Sequence, residues 1–196
     1  MSTPTYRTLT PIFDELHDER IIVSPYHEDD AEDLFDAINE SREHIRPWLP
    51  FADKHQNIEE TRDWINSTRA QWLLRENFSM GIWEKESVRF LGGIGLHPRV
   101  WEIGYFEIGY WLRSSAEGHG YMVAAAQLLV EYAFASLNAQ RLAIRCDERN
   151  TRSAAVARRL GFTQEACLRH DSCAPDGSLR NTLIFGRLPD ESIAMA

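Results

Sequence analysis

No run of about eighteen apolar residues occurs in the 196-residue chain, so nothing in it reads as a membrane-crossing helix. The first twenty residues, MSTPTYRTLTPIFDELHDER, lack the charged-then-apolar layout of a signal peptide. The expectation is a soluble, cytoplasmic protein with no membrane partner. Cysteine is scarce: Cys146, Cys167 and Cys173 are odd in number and show no C-x-x-C spacing, which argues against a disulfide framework or a zinc site. They read as reduced thiols in packing roles. His27, His44, His55 and His97 form no metal-ligating pattern, so no metal is expected. Positive charge is also short. A net charge of -9 repels polyphosphate backbones and makes direct nucleic-acid binding a poor expectation. With no internal repeat, low-complexity tract or convincing linker, and 43% hydrophobic residues, the chain can bury one ordinary core. Residues 1–196 are therefore expected to form a single domain.

The charge that is present is unevenly spread. Residues 14–40 hold eleven acids against Arg20 alone, whereas residues 141–160 hold six arginines against Asp147 and Glu148. Such asymmetry suggests an anionic ligand on one side and a cationic one on the other, or two solvated helix faces. Apolar spacing supplies the elements. "RIIVSPY" reads as a strand, and Ala31, Leu34, Phe35 and Ile38 follow at helical spacing. "REHIRPWLPF" (42–51), broken by Pro47 and Pro50, reads as loop or turn, and residues 57–73 as a second helix with Ile58, Thr61, Trp64, Ile65, Thr68 and Trp72 on one face. "FSMGIWE", "RFLGGIGLH" and "GYFEIGYWL" then predict an antiparallel meander, the last placing Phe106, Ile108, Tyr110 and Leu112 on one face. A helix follows with Met122, Ala125, Ala126, Leu129, Val130 and Ala133 inward, then a strand "RLAIRC", a helix from Asn150 to Leu160 stopped by Gly161, and two closing strands, "ACLRH" and "TLIFGRL".

Gly118 and Gly120 stand at the mouth of the third helix. A strand feeding through a glycine loop into a helix presents free N–H groups and the positive end of the helix dipole to one point, which is an anion site. Glycine lets a phosphate approach the backbone and tolerates the positive φ that aims successive amides together. A dinucleotide fingerprint would need a third glycine where Val123 stands, and a nucleotide P-loop would need Lys and a hydroxyl that "GHGYMV" lacks.

The stretch "FEIGYWLRSSAEGHGYMVAAAQLLVEYAF", followed after about fifteen residues by "NTRSAAVARRLGFTQEACLR", resembles the coenzyme A-binding core of the Gcn5-related N-acetyltransferases (GNAT), in particular the RimJ/RimL-type protein N-acetyltransferases. "IRPWLPF" resembles a loop of that subgroup, and the likeness spans a core of about residues 18–188. It implies an α/β (α+β) GNAT fold: a mixed, mostly antiparallel twisted sheet of about seven strands with a central splay, flanked by about four helices. It also implies acetyl-CoA as co-substrate. Gly118, His119, Gly120, Tyr121 and Met122 match the pyrophosphate loop, and Tyr110, Trp111, Leu112 and Arg113 match the strand end that pairs with the pantetheine arm. The matching Asn150, also a helix N-cap by pattern, would bond the pantetheine. Two positions depart from the family. Ser115 stands where Arg or Gln usually opens the loop, and Ala157 stands where many relatives carry a tyrosine that protonates the leaving thiolate. Ser153 matches the serine proposed for that role in the RimL-type branch.

Acetyl transfer from a thioester to an amine needs a neutral amine near the carbonyl, donors to the developing oxyanion, and a proton for the thiolate. Glu107, opposite Phe106 and Ile108 on its strand, is the expected acceptor of the amine proton, directly or through water, with Asp171 in reserve within "LRHDSC". Trp48, in its proline-locked loop, is expected to line the acceptor cleft with Glu107. Arg158 and Arg159 read as helix-face residues that could also meet coenzyme phosphates. The acceptor is expected to be a protein N-terminal amine. The competing readings are a small amine of polyamine or antibiotic-like type, or an inactive coenzyme A-binding module. The assembly is expected to be a monomer or homodimer.

Overall fold

The computed structural model describes residues 7–191. Strand β1 is a two-residue stub (Leu16–His17) beside β2 (Ile21–Pro25). Pro25 sits beyond the reach of β1, which pairs only Ile22 and Val23, so its missing N–H costs no ladder bond on that side. Helix α1 (Ala31–Ile45) runs a full turn further than the proline pattern suggests. The break comes only at Pro47, which lacks the N–H needed to continue; Trp48 and Leu49 both donate to the Ile45 carbonyl at 2.9 Å and close the turn. Helix α2 (Ile58–Leu74) is capped by Asn57, whose side chain accepts from the Glu60 amide at 2.8 Å.

The meander follows as β3 (Phe78–Glu84), β4 (Phe90–Val100) and β5 (Tyr105–Leu112), then α3 (Tyr121–Ala135), β6 (Arg141–Asp147), α4 (Thr151–Arg159), β7 (Thr163–Cys173) and β8 (Leu179–Arg187). The two closing strands are longer than their apolar cores suggest, because backbone pairing extends past the hydrophobic residues into an exposed hairpin. One eight-stranded sheet results, in the order β1-β2-β3-β4-β5-β6-β8-β7. Its single parallel junction is β5 with β6, as a strand–helix–strand crossover requires. That junction holds for three residue pairs, Tyr105 with Arg141, Phe106 with Leu142 and Glu107 with Ala143. Beyond it the two strands part, and the sheet opens into a splay.

Each sheet face has its own core. On one, the six α3 residues predicted to point inward are buried against Ile94, Leu96, Phe106 and Ile108. On the other, α1 and α2 pack Leu34, Ile38 and Ile65 against Trp83 and Phe90. Glycines in β3, β4 and β5 make room for rings on this second face. A Cβ at Gly81 would meet the Trp83 ring at 2.1 Å, one at Gly93 the Trp111 indole at 2.6 Å, and one at Gly95 the His97 imidazole at 2.7 Å. Of the three cysteines only Cys146 is buried; Cys167 and Cys173 lie on the exposed hairpin strand, which corrects the packing role expected for them. No helix among the described residues is long and apolar enough to cross a membrane.

Candidate active site

The mouth of α3 is an open cradle of backbone amides. Gly118 and Gly120 have φ of +82° and +79°, values that disfavour any side chain. A Cβ at Gly118 would meet nothing within 4 Å, so the space above it is open. Ala124 is the first amide of the helix with a partner, donating to the Gly120 carbonyl at 3.1 Å; the amides of residues 118–123 have no protein acceptor among the described residues. Two arginines from distant turns bring positive charge to the loop. Arg20 donates to the His119 carbonyl at 3.0 Å and lies over the Tyr121 ring, and Arg89 donates to the Ser115 hydroxyl at 2.6 Å. The loop's entry is tied to α1 by Glu40, which accepts the Arg113 guanidinium and, at 3.0 Å, the Ser115 amide. The Arg113 hydrogen bond holds the Glu40 carboxyl down at about 2.

From the cradle, β5 leads to the splay. The Arg113 amide donates to the Leu91 carbonyl of β4 at 2.9 Å. Because the backbone of a strand alternates direction, the amides and carbonyls of Leu112 and Tyr110, with the Ile108 carbonyl, point the other way, into the gap that β6 has left. This free edge suits an extended chain of amides lying alongside it. Across the gap, α4 begins with Asn150 accepting the Ser153 amide at 3.0 Å. The Ser153 hydroxyl lies 3.1 Å from the Tyr110 hydroxyl. Burial pushes the Tyr110 phenol up, so it remains a protonated donor, and Cys146, also raised by burial, stays a thiol beside them.

The second sheet face carries the acids. Glu107, at the apex of the splay, is held by Arg99 through both oxygens at 3.0 and 3.1 Å. Asp147, at the end of β6, is buried between Arg149 at 2.7 Å and Arg180 at 3.3 Å. Arg180 also donates to the Pro47 and Trp48 carbonyls, so this pair ties the proline loop to the far arm of the splay. Asp171 pairs with Arg145 at 3.3 Å.

Residues 20–163 match the acetyltransferase (GNAT) domain family. The chain belongs to the GNAT acetyltransferase family. It is an enzyme, an acyltransferase of the GNAT type. YdaF of Bacillus subtilis (strain 168), provisionally named a ribosomal N-acetyltransferase, is 32% identical over 148 residues, which are 75% of this chain and 80% of YdaF. Among solved structures, RimL, a ribosomal L7/L12 alpha-N-protein acetyltransferase in complex with coenzyme A, superposes with a TM-score of 0.84 at 21% identity, covering 91% of this chain and 99% of RimL. The microcin C7 self-immunity acetyltransferase MccE, in complex with acetyl-CoA and AMP, gives 0.81 at 22% identity, over 87% of this chain and 93% of that one. The mixed sheet of this GNAT chain, with its splay and four α-helices, is the fold those neighbours share.

The residues singled out in the sequence fall into two groups. Gly118, His119, Gly120, Tyr121 and Met122 form the cradle; Tyr110, Trp111 and Leu112 run along the splay; Asn150 and Ser153 face them from α4; Glu107 stands at the apex and Trp48 in the tethered loop. Arg113 is engaged within the protein: its amide serves Leu91, and its guanidinium serves Glu40 and the Phe90 carbonyl. The basic segment is largely neutralised: Arg141, Arg145, Arg149 and Arg152 each pair with an acid, and Arg158 lies over the Phe185 ring. Arg20, Arg89, Glu40, His97 and the Tyr110 hydroxyl were not singled out by sequence reading. Their partners come from other strands or helices, and only the glycine run "GGIG" hinted that something large lies over β4.

Proposed function

We propose that this GNAT enzyme transfers an acetyl group from acetyl-CoA to a protein N-terminal α-amine. The cradle fits the pyrophosphate: six consecutive amides without acceptors among the described residues, an open space over Gly118, and Arg20 and Arg89 supplying the charge that Ser115 does not. The free edge of Tyr110 and Leu112, reached from the Ile108 carbonyl, would hold the pantetheine amides, with Asn150 opposite. When bound, acetyl-CoA supplies an activated thioester. The chain's own residues supply the rest. An outward amide of β5 polarises the carbonyl, Glu107 holds the amine at the apex, and the Ser153 hydroxyl, backed by Tyr110, gives the departing sulfur its proton.

The observation that carries the choice of acceptor is the pairing of acids on the amine face. Beyond Glu107, both Asp147 and Asp171 are engaged by arginine. A polyamine needs carboxylates free for its second and third charges, whereas a peptide needs room for one amine and a neutral backbone. The tethered Trp48 loop offers an apolar wall to the first side chain. On this reading the acceptor, a ribosomal or other cytoplasmic protein, meets a single-domain enzyme in the cytoplasm, acting as a monomer or homodimer. Thiol release from acetyl-CoA, followed across N-terminal peptides and polyamines, tests it. The expected result is a kcat/KM at least about tenfold higher for a peptide, a difference of about 1.4 kcal/mol. A preference for spermidine would transfer the assignment to small amines, and tight coenzyme binding without turnover on either class would make the protein a binding module.

A further inference from the structure

His97 lies on β4 directly across from Glu107, with its ring laid over two glycines. An added Cβ at Gly95 would come within 2.7 Å of the ring, and one at Gly109 within 3.1 Å of Nε2. Both glycines therefore serve to hold the imidazole flat against the sheet. Gly109 is two residues past the last β5–β6 pair, so Nε2 stands over the opening of the splay.

The tautomer follows from the network behind the ring. Asn77 donates through Nδ2 to the Gln71 Oε1 at 3.1 Å and to the Ser79 hydroxyl at 3.2 Å. Its Oδ1 then faces His97 Nδ1 and can only accept. In this arrangement Nδ1 carries the proton and the Nε2 lone pair is left free. Nε2 has no protein partner among the described residues, and it is not sealed from solvent as the unpartnered Nε2 of His55 is. We infer that His97, through Nε2, receives the proton of the incoming amine, and that Glu107 steadies the imidazolium that forms. The inference rests on the reading of the site as an amine acetyltransferase.

The amine nitrogen bonds to the thioester carbon and gives one proton to Nε2, the carbon–sulfur bond breaks, and the sulfur takes one proton from the Ser153 hydroxyl. Solvent then removes the proton from His97 and restores that of Ser153. Burial, and after it the charge of Arg99 on the same strand, lower the proton affinity of His97, while Glu107 on β5 raises it. The net effect keeps the ring neutral near pH 7 and able to accept.

The test measures kcat against pH for the wild type, His97→Gln and Glu107→Gln on whichever amine the wild type accepts, with the tautomer read from the imidazole nitrogen resonances of the wild-type protein. Expected are an acidic limb below about 6.5 in the wild type, a kcat loss of about 100-fold with no such limb in His97→Gln at nearly unchanged acetyl-CoA KM, and a limb moved to lower pH in Glu107→Gln. An intact limb in His97→Gln, or a proton on Nε2 in the resting enzyme, would overturn the inference. If the accepted amine is a polyamine, the acceptor assignment fails while His97 still stands or falls by the limb. If nothing is turned over, the tautomer decides.

Discussion

Ser153 illustrates how one residue divides its duties between backbone and side chain. Its amide closes the Asn150 cap of α4, while its hydroxyl meets Tyr110 across the splay. Because the cap uses the amide alone, Ser153→Ala should leave thermal stability nearly unchanged and lower kcat by roughly 10- to 100-fold, as expected for loss of a proton donor. The loss should shrink with an acyl donor whose leaving thiol is more acidic; a stability loss of the size of the kinetic one would show Ser153 to be structural. The cap was legible, since Asn followed by a helix-forming run is a local pattern. The Tyr110 contact was not, because it joins residues 43 apart that only the register of β5 against α4 brings together. His97 was hidden for the same reason, its neighbours being Asn77, just ahead of β3, and Glu107 and Gly109 on β5.

Among the elements, the mouth of α3 is the part most readable from sequence and most exposed to test. The two glycines adopt positive φ as the anion-site argument requires, and the inward α3 residues follow from the 3.6-residue period alone. Gly120→Val would impose a β-branched side chain at φ +79° on the proposed phosphate loop. Coenzyme A affinity should fall at least about tenfold, on the order of 1.4 kcal/mol. Unchanged affinity in the folded variant would return the glycines to a turn-forming role. The splay itself could not be read from periodicity. It depends on β5 and β6 pairing in parallel for only three residues, a long-range event that the family resemblance implied and the strand patterns left open.

Across the whole molecule, pH acts on stability through a group remote from the chemistry. His55, between α1 and α2, is 1% exposed, and its Nδ1 lies 3.0 Å from the Thr61 hydroxyl. Burial, reinforced by the charge of Arg42, lowers it to about 4. An unfolded chain binds this proton first as pH falls, so the stabilisation is complete above about 6.5 and is lost as pH drops toward the folded value, by about 3 kcal/mol. Urea midpoints should decline between pH 7 and 4.5, and His55→Leu should flatten that slope; an unchanged slope in the variant would assign it elsewhere. The proposed reaction is acetyl transfer to an N-terminal amine. It is tested most directly by incubating the enzyme with acetyl-CoA and a peptide that carries both a free α-amine and a lysine, then locating the added acetyl group by fragment mass spectrometry. Acetylation confined to the α-amine, and absent from the same peptide with a blocked N-terminus, is the predicted result. Modification of the lysine instead, or of neither amine while spermidine is acetylated, would contradict it.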